Sequence, residues 1–131
     1  MPVFAVTTAR DAGWDHTRDI REQPFWDQHA AFGDELVDRG VIILGGPIGG
    51  DDGEDLALLA VEAADEEAVR SAFDADPWTV HQVFRIKQIR PWALWLDGRS
   101  RAARPAERRG LSRTTSCFTS PVLELWKMVD V

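Results

Sequence analysis

Two side chains, His29 and Asp76, have the types and settings that proton chemistry requires. His29 lies in Phe25-Trp26-Asp27-Gln28-His29-Ala30-Ala31-Phe32, where positions 25, 29, 32, 33 and 36 share one helical face. The spacing therefore places an ionisable ring in line with Phe25, Phe32 and Leu36. A histidine in a partly desolvated site can accept and return a proton near neutral pH. By pattern alone the plainer account leads, a core histidine satisfied by one hydrogen bond. Asp76 precedes Pro77, so its plain role is to stop a helix and form a turn. Brought beside the imidazole, the same carboxylate would orient the tautomer and stabilise the charged ring.

Other residues could shape a pocket around such a pair. Arg21 and the rings of Trp14, Trp26 and Trp78 suit a planar ligand, an anionic one included, through a charge-assisted bond and stacking. They are equally ordinary as core tryptophans and a surface arginine. Gly45-Gly46-Pro47-Ile48-Gly49-Gly50 lacks the Lys-Ser/Thr ending of a phosphate loop and leads to Asp51-Asp52 and a strand, so a tight hairpin whose amides face a pocket is the better account. Asp51-Asp52-Gly53-Glu54-Asp55 misses the spacing of a calcium loop. His16, His29 and His81 have no metal-ligand spacing, and neither a metal nor another cofactor is expected. Pro2, if Met1 is removed, would be a secondary amine able to act as a base, a lesser rival site.

The elements that must position these residues follow from periodicity. Val3 to Val6 suits a first strand, and residues 9 to 22 read as a long polar loop. A helix is expected from near Pro24 to Gly40, the residue type best able to take a left-handed cap. Val41 to Leu44 and Leu56 to Val61 are continuously apolar, as strands covered on both faces are. Asp65-Glu66-Glu67 opens a second helix with the inner stripe Ala68, Val69, Ala72 and Phe73, stopping before Asp76-Pro77. A last strand runs from about Val83 to Arg90. The order β-α-β-β-α-β predicts a ferredoxin-like α+β unit with both helices on one face of an antiparallel sheet. Because the central strands are apolar on both sides, the other face is expected to pack on a second copy as a two-fold dimer.

Composition narrows the classes of function. The 131 residues, 44% of them hydrophobic, fit one globular domain. Residues 1 to 97 carry 8 basic and 19 acidic side chains, a net of −11, whereas 98 to 131 carry 7 and 3, a net of +4. So acidic a body repels phosphate backbones, so nucleic acid is not an expected partner. No apolar run nears the roughly 20 residues of a membrane span, and the start is unlike a signal peptide, so a cytoplasmic location away from membranes is expected. The lone Cys117 cannot form an internal disulfide. From Gly98 to Pro121 the mixture of Arg, Ala, Ser, Thr, Pro and Gly reads as a basic, flexible extension. The expected organisation is a domain over 1–97 and an extension over 98–131, with the apolar stretch Pro121 to Val129 suited to docking.

Between residues 2 and 97 the chain resembles the YCII-related (YciI-like) family. The resemblance rests on Trp26-Asp27-Gln28-His29-Ala30-Ala31-Phe32, Leu36 and Gly40, Gly45-Gly46-Pro47, the acidic start of the second helix, Asp76-Pro77-Trp78, and Ile89-Arg90-Pro91-Trp92. It implies a small dimeric α+β barrel with an active site built on a histidine and an aspartate before proline, which match His29 and Asp76. The best defined activity in that family is elimination of chloride from a chlorinated hydroxyhydroquinone, and related dimeric barrels include muconolactone isomerases. Both are proton transfers on small rings. This chain departs from the family at Thr79-Val80-His81-Gln82, where a glycine is usual, and in the larger loop over 9–22. The expectation is an enzyme of elimination or isomerisation acting on a small cyclic or phenolic compound. His29 and Asp76 would be its catalytic pair, with Arg21, Trp26, Gly45, Gly46 and Trp78 against the substrate. The alternative is a non-catalytic ligand-binding, sensor or accessory domain with the same pocket.

Overall fold

A computed structural model describes residues 1–50 and 53–99. Strand β1 (Val3–Arg10) runs through the middle of the molecule, followed by a loop with one 3-10 turn (Ile20–Glu22), helix α1 (Trp26–Asp38), and strands β2 (Ile42–Pro47) and β3 (Asp55–Glu62). Helix α2 (Glu66–Phe73), a single turn α3 (Pro77–Val80) and strand β4 (Phe84–Pro91) complete it. The sheet order is β2-β3-β1-β4 with every pairing antiparallel. This is the ferredoxin-like α+β arrangement that the order of elements implied.

The alternation of β1 explains which face is buried. Phe4, Val6 and Thr8 point to one side, beside Val61, Leu59 and Ala57 of β3, and the helices cover that side. Val61, Leu36, Ile42, Val69 and Phe73 join Phe4 and Val6 in the main core. A second cluster of Trp14, Trp26, Ala30, Leu56, Trp78, Val83 and Phe84 fills the opposite end under the long loop. Asp65, expected within the first turn of α2, instead caps it by accepting from the Ala68 amide at 2.8 Å.

Three boundaries differ from the sequence expectation, each for a local reason. β1 continues past Val6 because Thr7 to Ala9 pair with strands on both sides and Arg10 pairs with β4, and the loop begins at Asp11. Gly45-Gly46-Pro47 belongs to β2 rather than to a turn, paired with Leu59, Leu58 and Ala57. α1 starts at Trp26 because Phe25 takes a left-handed backbone, φ 64°. Its ring stays substantially exposed, and the buried stripe is Trp26, Ala30 and Leu36 rather than one led by Phe25. β2 is an edge strand, and its Leu44 is 52% exposed on the face expected to pack on a second copy. Gly40 does take the left-handed conformation after α1, φ 79°.

The acidic turn expected over 51–55 has its first two residues outside the described ones. The extension from Ser100 onward, with Cys117 and the apolar stretch Pro121 to Val129, also lies outside them. Among the described residues no helix is long and apolar enough to cross a membrane.

Candidate functional site

Asp76 performs two local tasks before any chemistry. Pro77 at the first helical position, with its missing N–H and fixed φ, starts the turn α3, and Asp76 caps it by accepting the Trp78 amide on Oδ1 at 2.9 Å. The helix-stop signal therefore marks the end of α2 and also the start of another helical turn. Capping holds the Asp76 carboxylate rigidly, 1% exposed, and aims it at α1.

On α1, His29 meets that carboxylate. Its Nδ1 lies 3.0 Å from Oδ1 and 2.9 Å from Oδ2. The carboxylate form of Asp76 can only accept, so Nδ1 carries the hydrogen and the neutral ring keeps its lone pair on Nε2. The imidazole is fixed by aromatic neighbours as well. Trp78 stacks on its face with centroids 3.8 Å apart and planes 2° from parallel, and Phe84 presents an edge-to-face contact at 5.2 Å. Trp78 is fully buried, and its indole N–H donates to the Pro24 carbonyl at 2.7 Å, which ties the aromatic floor to the residues leading into α1.

A second contact closes the same junction. Phe25, just before α1, stacks on His81, just after α3, at 3.9 Å and 5°. Phe25 and Gln82 are the two non-glycine residues with positive φ among those described, 64° and 59°. Such backbones cost about 1–3 kcal/mol and persist where the surroundings over-determine them. Here the two strained residues flank the elements that carry His29 and Asp76.

The long loop packs behind the aromatic floor. Gly13 donates to the Gln82 carbonyl at 2.7 Å, and a Cβ on it would sit 2.8 Å from the His81 carbonyl oxygen, so only glycine allows this approach. Gln23, 3% exposed, gathers the loop: its Nε2 donates to the Asp15 and Arg18 carbonyls at 2.8 and 3.0 Å, and its Oε1 accepts from the Asp15 amide at 2.8 Å. Sequence reasoning missed Gln23, whose one signal is a polar residue directly before Pro24.

In front of the imidazole is a cavity of about 270 Å³ between α1 and the sheet. His29, Asp76 and Trp78 line one end, while Ile42, Leu59 and Phe73 are among the apolar side chains lining the rest. Of the other residues singled out from the sequence, Gly45 lines the cavity. A Cβ there would lie 2.3 Å from Leu59 Cδ2 and 2.9 Å from the Leu58 carbonyl oxygen, so close strand packing is its evident requirement. Gly46 lines a shallow groove on the opposite sheet face with Leu44, Leu58 and Trp92. Trp26 is buried behind the pair, its ring 5.9 Å from His29 and 5.8 Å from Trp78, and does not line the cavity. Arg21 lies in the 3-10 turn and is not in the cavity wall. Thus the structure brings His29, Asp76, Trp78 and Gly45 together and leaves Arg21, Trp26 and Gly46 outside the wall.

The model of the YCII-related domain family matches residues 4–93 of the chain. No curated protein matches. Among solved structures, the chain is similar to a 5-chloro-2-hydroxyhydroquinone dehydrochlorinase from Burkholderia phenoliruptrix AC1100, determined in complex with 2,5-dihydroxybenzoquinone. The two are 23% identical with a TM-score of 0.47, over 70% of this chain and 93% of that one.

Proposed function

The chain belongs to the YCII-related family, and from that premise we propose that it is an enzyme of general acid–base elimination or isomerisation acting on a small cyclic or phenolic compound. The observation that supports this reading is a histidine locked by a buried aspartate at the end of an apolar cavity, Nδ1 to Oδ2 2.9 Å. In the proposed reaction Nε2 of neutral His29 removes a carbon- or oxygen-bound proton. The released electron pair forms the new double bond, shifting an existing one or expelling a leaving group with its own bonding pair. Asp76 stabilises the imidazolium through the Nδ1 hydrogen, and the ring then returns the proton or passes it to water.

The test is solvent hydrogen exchange into a panel of small phenols, quinols and lactones in D₂O, followed by NMR, for the wild type and His29→Gln. Exchange or conversion by the wild type that falls at least about 100-fold in the variant, with folding intact, is the expected result. Equal rates for the two proteins would refute the role of His29. Saturable binding of a panel member by both proteins, without exchange by either, would favour the ligand-binding alternative.

We propose further that two copies pack through the sheet face that the helices leave uncovered. Leu44, Ile48 and Trp92 are exposed on or beside that face, and Leu44 and Trp92 flank the groove that also holds Leu58. Sedimentation of the wild type as a dimer and of Leu44→Asp as a folded monomer is the expected outcome. A clean wild-type monomer at micromolar concentration would overturn it.

A further inference from the structure

We infer that the cavity selects an uncharged ligand, a substituted ring with one exchangeable proton, and excludes carboxylates and phosphates. This rests on the functional reading of the same site and adds to it the charge class of what enters.

The wall supplies the argument. Among the described residues that line the cavity, His29 and Asp76 are the ionisable ones, and there is no lysine, arginine, hydroxyl or side-chain amide. The indole N–H of Trp78 is used by the Pro24 carbonyl. Of the cations elsewhere in the fold, Arg10 donates to the Gly53 carbonyl at 2.8 Å, Arg85 to the Arg10 carbonyl at 2.9 Å, and Lys87 pairs with Asp55 at 2.6 Å. An anion entering the cavity would leave water and find no compensating charge. It would also face the buried Asp76 carboxylate. In the state that the proposed reaction needs, a neutral His29 beside an ionised Asp76, the pair carries one negative charge, and like charges at close quarters in a poorly screened site repel strongly.

Size and polarity fix the other half of the inference. A dry cavity of about 150 Å³ lined by aliphatic and aromatic side chains holds benzene. The roughly 270 Å³ here leaves room for a ring with substituents. One polar end, formed by the imidazole and Asp76, matches a ligand with one proton to give, while most of the other lining side chains are aliphatic or aromatic.

The experiment titrates the full-length protein with 4-chlorophenol, 4-chlorobenzoate and phenyl phosphate near pH 7, following the His29 imidazole and Trp78 indole resonances by NMR. The phenol, uncharged at this pH, is expected to shift both resonances and to bind at least about tenfold more tightly than either anion. Asp76→Asn removes the repelling charge and should shrink that ratio several-fold. A carboxylate or phosphate that binds as tightly as the phenol overturns the inference, as does failure of the phenol to bind at millimolar concentration. So does a discrimination unchanged in a folded Asp76→Asn protein. These are equilibrium measurements that need no turnover, so they can fail while the exchange experiment succeeds, and the reverse.

Discussion

Replacing Asp76 by asparagine isolates what the carboxylate does from what its shape does. The wild-type group accepts the Trp78 amide at 2.9 Å on Oδ1 and approaches Nδ1 of His29 at 3.0 and 2.9 Å with its two oxygens. In Asp76→Asn the amide oxygen takes the Oδ1 position, since only an acceptor can face the Trp78 N–H, and the cap of α3 survives. The amide nitrogen then occupies the Oδ2 position, 2.9 Å from Nδ1. Two hydrogens cannot share that gap, so Nδ1 must become the acceptor and the ring proton moves to Nε2. The Nε2 lone pair that the proposed reaction needs is lost although the fold remains. Exchanging a charge-assisted bond for a neutral one costs about 1–2 kcal/mol of stability. Asp76→Ala removes the cap as well and leaves an imidazole with a buried, unpartnered nitrogen, and breaking a buried pair costs about 3–5 kcal/mol. Where the wrong tautomer is enforced in a serine-protease triad, turnover falls by roughly 10⁴-fold. Urea denaturation of both variants checks the order of stabilities. Long-range ¹H–¹⁵N correlation of the imidazole reads the tautomer directly. An Asp76→Asn protein whose His29 keeps its hydrogen on Nδ1, or an alanine variant as stable as the asparagine one, would refute the reasoning.

Three further perturbations test the framework around the site. The Thr8 hydroxyl is buried with no hydrogen-bond partner among the described residues, so Thr8→Val should leave stability unchanged or raise it by about 1 kcal/mol in chemical denaturation, and a clear loss would mean the hydroxyl is satisfied after all. Gly45→Ala sets a methyl 2.9 Å from the Leu58 carbonyl oxygen and should cost about 1–3 kcal/mol of unfolding free energy; a wild-type urea midpoint would show that the edge strand moves aside freely. In the loop, hydrogen bonds from the Thr17 hydroxyl and amide hold the Asp15 carboxyl below its ordinary range. A depressed carboxyl stabilises the folded state above its unfolded value and loses that contribution as pH falls through the folded one. Thr17→Val should therefore raise the Asp15 midpoint in an NMR carboxyl titration, and an unchanged midpoint would count against the hydroxyl contact.

Much of the fold is legible in the residues because local rules and global topology agree. Apolar runs bounded by Gly and Pro, an acidic first turn and a glycine after α1 suffice for the β-α-β-β-α-β order, and that order leaves few ways to arrange an antiparallel sheet with helices on one side. Positions 29 and 76 stand out by type alone, one an imidazole on an apolar face and the other an aspartate before proline. Their meeting across 47 residues is a tertiary fact. It follows from the cap that aims Asp76 at α1 and from the Trp78 ring beneath the imidazole, neither visible as periodicity. The same limit explains the pocket wall. Arg21, Trp26 and Gly46 have chemistry suited to a ligand, but a left-handed Phe25 shifts the buried stripe of α1, the strand pleat turns Gly46 to the opposite sheet face, and Arg21 falls in the 3-10 turn. Sequence names the groups able to act, whereas only the packed chain decides which side of a helix or strand each one faces, because one residue of register changes the face and leaves the composition unchanged.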